Sequence, residues 1–227
     1  MFFVVTLSWV LVTIVGGEQI CRKIDQELTE VPGDIPSDTE KLYLDRNNIS
    51  HVSSDDLLGL ERLYWIDIRE NALMVFPDLS AVAGTLTVLQ LYKNQISSVP
   101  AARLNILTKL WKLGLDNNEI TSLPDAGGIW LPQATGNLVL LGVIQNSLRT
   151  LLVLYDYRSG FGVWAEGNPI VCDEQVAWLL RYKAPNMYTP DTACSAPAPL
   201  AGKKLTELYY TNLTRANSKF EFLQSCE

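Results

Sequence analysis

One stretch constrains this chain more than any other: Leu86-Thr-Val-Leu89-Gln-Leu91-Tyr-Lys-Asn94-Gln-Ile96. Its apolar residues fall at the first, fourth, sixth and eleventh places, with asparagine at the ninth. That is the L-x-x-L-x-L-x-x-N-x-L unit of a repeat architecture. Leu89-Gln90-Leu91 alternates, so it reads as a short strand with one face inward. Asn94 stands where the backbone must leave that strand. A turn buried there leaves peptide groups unpaired, which is costly. An amide side chain has two donors and an acceptor and can satisfy them in its own repeat and the next. One such unit cannot bury its leucines alone, whereas stacked copies can.

The frame returns along most of the chain. Thr39, Leu42, Leu44, Asn47 and Ile49 mark a first repeat, and Leu63, Ile66, Ile68, Asn71 and Leu73 a second. Leu86–Lys109 is the third. Leu110, Leu113, Leu115, Asn118 and Ile120 mark the fourth, and Leu138, Leu141, Val143, Asn146 and Leu148 the fifth. A degenerate sixth starts near Gly160, with Val163, Ala165 and Asn168. Val52, Leu57 and Leu60 recur as Val99, Leu104 and Leu107 at the same offsets, which predicts short helical or irregular return segments on the outer side. The fourth repeat is longer than the others and needs a bulge or loop within 125–136. The ends of a solenoid expose its core and need caps. Cys21 to Pro36 is placed to be one cap. At the other end Asp173 can N-cap a helix running through Tyr182.

Charge and hydropathy narrow the function. The 227 residues carry 18 Lys+Arg against 25 Asp+Glu, a net charge of -7. There is no basic run, which argues against binding nucleic acid or phosphate in general. Phe2 to Val15 is almost unbroken apolar sequence, but shorter than the roughly 20 residues that span a bilayer. Gly16-Gly17 supplies small residues for cleavage, so residues 1–17 read as a secretory signal peptide cut before Glu18. A buried N-terminal strand or helix is the alternative. No later stretch could cross a membrane, so the mature chain is expected to be secreted, with no direct membrane insertion. Four cysteines suit an oxidising compartment. The resulting division is a signal peptide over 1–17, an N-terminal cap over 18–38, repeats over 39–166, and a C-terminal cap and tail over 167–227.

Gly167-Asn-Pro-Ile-Val-Cys172, the Trp178-Leu-Leu stretch and Cys194-Ser-Ala-Pro197 follow those repeats. Together they resemble extracellular leucine-rich-repeat proteins with flanking caps, such as the variable lymphocyte receptors and small secreted or receptor-ectodomain members. The resemblance covers roughly Cys21–Leu213. It implies an α/β fold: a right-handed leucine-rich-repeat solenoid, or horseshoe, with a parallel concave sheet and terminal caps. It also implies a protein or glycan ligand on the concave strand face. The chain departs from the pattern in having Cys21 alone in the N-terminal cap and Glu174 where a cysteine usually follows the first of the C-terminal cap.

Four cysteines allow three full pairings. Some five repeat steps of about 4.8 Å set the caps roughly 24 Å apart, whereas a disulfide needs Cα atoms within about 7 Å. Cys21 is therefore not expected to reach Cys172. A Cys172–Cys194 bridge is expected, with Cys172–Cys226 as the competing pairing. Cys21 and Cys226 are then free, buried, or available to join two copies as a homodimer.

Catalytic chemistry is not in evidence in the sequence. His51 is the one histidine and reads as a solvated turn residue. There is no Cys-x-x-Cys pair, H-E-x-x-H or Gly-rich phosphate loop. Asp55-Asp56 reads as a charged turn. No enzyme activity, metal or cofactor is expected. Asn48-Ile-Ser50 and Asn212-Leu-Thr214 are glycosylation sequons, so Asn48 and Asn212 are candidate glycan sites.

Strand residues between the buried positions point to the concave side. The third place stacks Lys41, Trp65, Val88, Lys112 and Leu140, and the fifth Tyr43, Asp67, Gln90, Gly114, Gly142 and Trp164. The seventh stacks Asp45, Arg69, Tyr92, Asp116 and Ile144, with Tyr64 and Trp111 at the second. The expected ligand-binding set is Tyr43, Tyr64, Trp65, Asp67, Arg69, Tyr92 and Trp111. Tyr, Trp and Arg supply large contact area at low entropic cost, and the partner would be an extracellular protein or glycan. The alternative is that these are strand formers covering a sheet. A reading from a different class is a structural matrix protein or self-associating spacer.

Overall fold

A computed structural model of the chain describes residues 11–15, 17–123, 137–150, 162–172 and 191–208. Among these residues eight strands form one sheet in chain order: β1 (Leu11–Val15), β2 (Glu18–Arg22), β3 (Lys41–Tyr43), β4 (Trp65–Asp67), β5 (Val88–Gln90), β6 (Lys112–Gly114), β7 (Leu140–Gly142) and β8 (Gly162–Trp164). β1 runs antiparallel to β2, and every later pair is parallel. Parallel neighbours require a crossover. Here it is made by short return segments: 3-10 turns at Asp55–Leu57 and Ser80–Val82, and one helix, α1 (Ala101–Asn105).

The register places Cys21, Leu42, Ile66, Leu89, Leu113, Leu141 and Val163 in one interior column, all buried. Leu44, Ile68, Leu91, Leu115, Val143 and Ala165 form a second buried column. The return segments close the core from outside. Val52, Leu57 and Leu60, then Phe76, Leu79 and Val82, then Val99, Leu104 and Leu107 are buried against it. Each such side chain contributes about 1.5–3 kcal/mol relative to an exposed one.

The asparagine ladder runs in one direction. Asn94 Nδ2 donates to the carbonyl of Leu91 in its own turn (3.0 Å) and to that of Ile68 in the turn before (3.0 Å), while its Oδ1 accepts from Leu73 N–H (3.0 Å). Asn71, Asn118, Asn146 and Asn168 repeat the pattern. The expectation that the amide serves its own repeat and the next is therefore corrected. It serves its own and the preceding one. Asn168 completes the set, so the degenerate sixth repeat is a full rung.

The eighth place of every turn is left-handed. Arg46, Glu70, Lys93, Asn117 and Gln145 have φ between 51° and 56°, and Gly167 has 74°. Non-glycine residues rarely adopt this region, so the ladder and the sheet hold the corner against its local preference. Asp25 (φ 58°) occupies the same place relative to Cys21.

The N-terminal cap is accordingly a further turn of the solenoid rather than a separate lid. β2 pairs with β3 with Cys21 opposite Leu42. The Cys21 thiol is wholly buried and free, and burial raises it above its ordinary pKa. It is not placed to join two chains, which corrects its candidacy as a dimer link; Cys226 lies outside the described residues. Lys23 is buried and ion-paired with Asp34 at 2.6 Å, closing the turn. Asn47 ties it down, accepting from Gln26 and Leu28 N–H and donating to the Lys23 carbonyl.

At the other end Cys172 and Cys194 are bonded, as expected, with Cα atoms 5.6 Å apart. Ser195 N–H donates to the Ile170 carbonyl (2.7 Å) and Cys172 N–H to that of Ala196 (2.8 Å). Residues 205–208 are helical, with Leu200, Leu205 and Leu208 buried. The expected helix from Asp173, the loop within 125–136, Asn212 and most of the signal segment lie outside the described residues.

Candidate functional site on the concave face

The expected columns are the observed ones: Lys41, Trp65, Val88, Lys112, Leu140 and Gly162 lie side by side, as do Tyr43, Asp67, Gln90, Gly114, Gly142 and Trp164. What the two halves of the face do with these residues differs.

In the N-terminal half the aromatic rings and charges satisfy one another. The Arg22 guanidinium lies 5.1 Å from the Tyr43 ring centroid, and Tyr43 is 6.4 Å from Trp65. The Lys41 ammonium sits 5.6 Å from both the Tyr64 and Trp65 rings, and 2.7 Å from Glu18 Oε2. Tyr64 O–H donates to the same carboxylate at 2.7 Å. The bonds from Lys41 and Tyr64 hold Glu18 below the usual carboxylate pKa. One step along, the Arg69 guanidinium lies 5.3 Å from the Tyr92 ring, donates to its hydroxyl, and stands 3.5 Å from Asp67 and 3.6 Å from Asp45. Cation–π pairs of this kind contribute about 0.5–1 kcal/mol at exposed sites.

Asp67 is therefore not a contact residue. It is 3% exposed, lies beneath Arg69, and accepts the Arg69 N–H at 3.2 Å. Desolvation raises its pKa to about 6. A folded-state value above the ordinary one means the native state holds the proton more tightly, so this group's contribution to stability is greatest below about pH 4 and is lost as pH rises through 6. Asp67→Asn keeps an acceptor for Arg69 N–H and removes the charge. It is expected to match the wild type at pH 4 and to exceed it by about 2–3 kcal/mol at pH 7, read by urea unfolding at the two pH values. Equal gains at both would mean that the charge is irrelevant.

Tyr43, Tyr64, Trp65, Arg69 and Tyr92 are half-buried on this face, and Trp111 is 40% exposed. The first five belong to two neighbouring clusters, and Trp111 belongs to neither, its carbonyl accepting from the N–H of exposed Val139. Missing from the expected set are Glu18, Arg22 and Lys41, which complete the clusters, and Trp164 and Glu166 on the last turn. The seventh place of the degenerate repeat would have found Glu166. Glu18 was assigned to the cap, and its part in the face depends on β2 joining the sheet.

In the C-terminal half the floor is glycine. The Gln90 amide lies over Gly114 and the Asp116 carboxylate over Gly142, where a Cβ would fall 2.5 Å from Asp116 Oδ2. Asp116 also accepts Ile144 N–H at 2.8 Å. Burial raises its pKa against that bond, and the charge of Glu166 adds to the rise.

A ladder-stitched parallel sheet, curved over one leucine core and closed by a disulfide-bonded cap, defines an extracellular leucine-rich-repeat protein. The particular proteins it is similar to agree. It is 32% identical to chicken keratocan over 114 residues, 49% of this chain and 31% of keratocan. Pig fibromodulin is 31% identical over 99 residues (44% and 65%), and chicken lumican 26% over 199 (84% and 57%). The chain thus spans 31% to 65% of the length of these curated relatives. Human 5T4, trophoblast glycoprotein, shares the fold: the TM-score is 0.52 at 18% identity, covering 83% of this chain and 92% of that one. No protein-family model matches. Keratocan, fibromodulin and lumican are small leucine-rich proteoglycans secreted to the extracellular matrix, and this chain is likewise extracellular. Among the described residues no helix is long and apolar enough to cross a membrane.

Proposed function

We propose that the protein is a secreted, non-catalytic recognition module whose concave strand face binds an extracellular protein or glycan. The observation that carries the proposal is the run of rings on neighbouring strands, Tyr43, Tyr64, Trp65 and Tyr92, each with a cation over it. Rings pre-set by their own chain lose little entropy on binding, and Tyr, Trp and Arg dominate interface hot spots. Asp67 acts through Arg69 in this reading, and exposed Trp111 extends the surface onto the next turn.

Joint replacement of Trp65 and Tyr92 by alanine is expected to abolish ligand capture from an extracellular fraction, at least tenfold by surface plasmon resonance. Neither side chain is fully buried, so the melting temperature should move by only a few degrees. Undiminished capture by the double variant would place the ligand elsewhere.

The matrix setting of the relatives favours a second reading, a structural spacer that self-associates. Gel filtration separates the two, since a monomer at every concentration is incompatible with the spacer. The division into leader, cap, repeats and C-terminal cap belongs to the same proposal. Cleavage before Glu18 would remove β1 and leave β2 as the outer strand. Asn48 is exposed on its turn beside buried Ile49, accessible to a glycosyltransferase. Intact mass of the secreted protein reads both events, and a mass retaining residues 1–17 or lacking any glycan refutes the corresponding one.

A further inference from the structure

The N-terminal half of the concave face shows a repeated arrangement in which a cation lies against an aromatic ring with a carboxylate at its side. Lys41 sits by Tyr64, Trp65 and Glu18, and Arg69 by Tyr92, Asp45 and Asp67. From the fourth turn to the sixth a ring and two carboxylates come without an ion-paired or ring-stacked cation, although the charge of Lys112 acts on Asp116. Trp164 is 40% exposed. It stands directly opposite Gly142 in the register, about 4.8 Å away by strand spacing, and the Asp116 carboxylate lies over that glycine. The charge of Glu166, two places past Trp164, acts on Asp116. Glu166 Oε2 is buried with no hydrogen-bond partner. Among the described residues no lysine or arginine forms an ion pair with Asp116 or Glu166 or lies over the Trp164 ring.

We infer that the patch formed by Trp164, Asp116 and Glu166 takes a cationic side chain, an arginine or lysine presented by an extracellular protein partner. The inference rests on the concave-face reading and names the chemistry of one contact within it. A guanidinium stacked on the indole supplies its face to the ring and its N–H edge to carboxylates. The charge of Glu166 disfavours that of Asp116, and a cation beside them offsets this. Gly142 has no side chain, so the Asp116 carboxylate lies directly over it, on the strand beside Trp164. The net charge of -7 adds long-range attraction for a basic partner.

The test uses the full secreted chain, with a nona-arginine peptide as probe and nona-citrulline as its neutral counterpart. Affinity is followed by calorimetry, and the Trp164 indole N–H resonance, assigned from Trp164→Phe, is followed by NMR. Expected are a shift of that resonance with nona-arginine and at least tenfold weaker binding for Asp116→Asn/Glu166→Gln. Asn still accepts the Ile144 N–H, so the turn keeps its bond. Asp55→Asn/Glu61→Gln removes the same charge from exposed positions off the face and should change binding less than twofold. Equal loss in the two double variants, equal binding of nona-citrulline, or an unmoved Trp164 resonance overturns the inference. Ligand capture lost in the Trp65/Tyr92 variant with no peptide effect at Trp164 would sink this patch alone. A peptide effect at Trp164 with capture intact in that variant would sink the proposed ligand face alone.

Discussion

Asn94→Ala is expected to lower the stability of the chain by about 3–5 kcal/mol, from three buried partners orphaned at about 1–3 kcal/mol each with partial relaxation. The side chain is buried and makes three bonds of 3.0 Å to Ile68, Leu91 and Leu73. All three partners are backbone groups inside the solenoid, where water cannot replace the amide. Asn94→Asp retains the acceptor for Leu73 but loses both donors and buries a charge, so it should be no better. Asn48→Ala, one residue past a ladder position and exposed, should stay within about 0.5 kcal/mol. Urea unfolding followed by both circular dichroism and tryptophan emission is the measurement, because a repeat array can unfold in parts. A loss below 1 kcal/mol for Asn94→Ala would mean the ladder is incidental to stability.

The second large effect is at the C-terminal cap. Joint replacement of Cys172 and Cys194 by serine opens a loop with a sequence separation of 22, which in the chain-entropy account costs about 3 kcal/mol. Among the described residues a few backbone bonds otherwise join the cap to the last turn, among them Ser195 to Ile170 and Cys172 to Ala196. Release of the cap would uncover Ile170, now fully buried. The variant is expected to show early hydrogen exchange at residues 162–172 before the central turns open. Uniform exchange along the whole chain would mean that the cap and repeats form a single cooperative unit.

The repeat frame was legible because burial, alternation and a polar corner demand particular residue types at fixed places. Leu42, Ile66, Leu89, Leu113 and Leu141 could hardly be anything but a column. The left-handed corner was not legible: Arg46, Glu70 and Lys93 show no preference for that conformation, and only the assembled ladder imposes it. The direction of the ladder was equally hidden, since an amide can face either neighbour. On the concave face the sequence indicated which side chains share a column but not which neutralise each other. Asp67 looked like an exposed contact because its place alternates outward, yet Arg69 folds over it. Glu18 was read as cap because strand pairing across the cleavage boundary has no periodic signal.

One consequence of the one-way ladder concerns truncation. Each amide reaches back, like a shingle nailed through the course below it. Removing turns from the front leaves the next asparagine with a free amide that solvent can hydrate. Removing turns from the back takes away a fastener, and strips, for example, Leu148 N–H and the Val143 carbonyl of Asn168. The two ends of the molecule are therefore not equivalent breakpoints, and shortened versions begun late should outlast those stopped early.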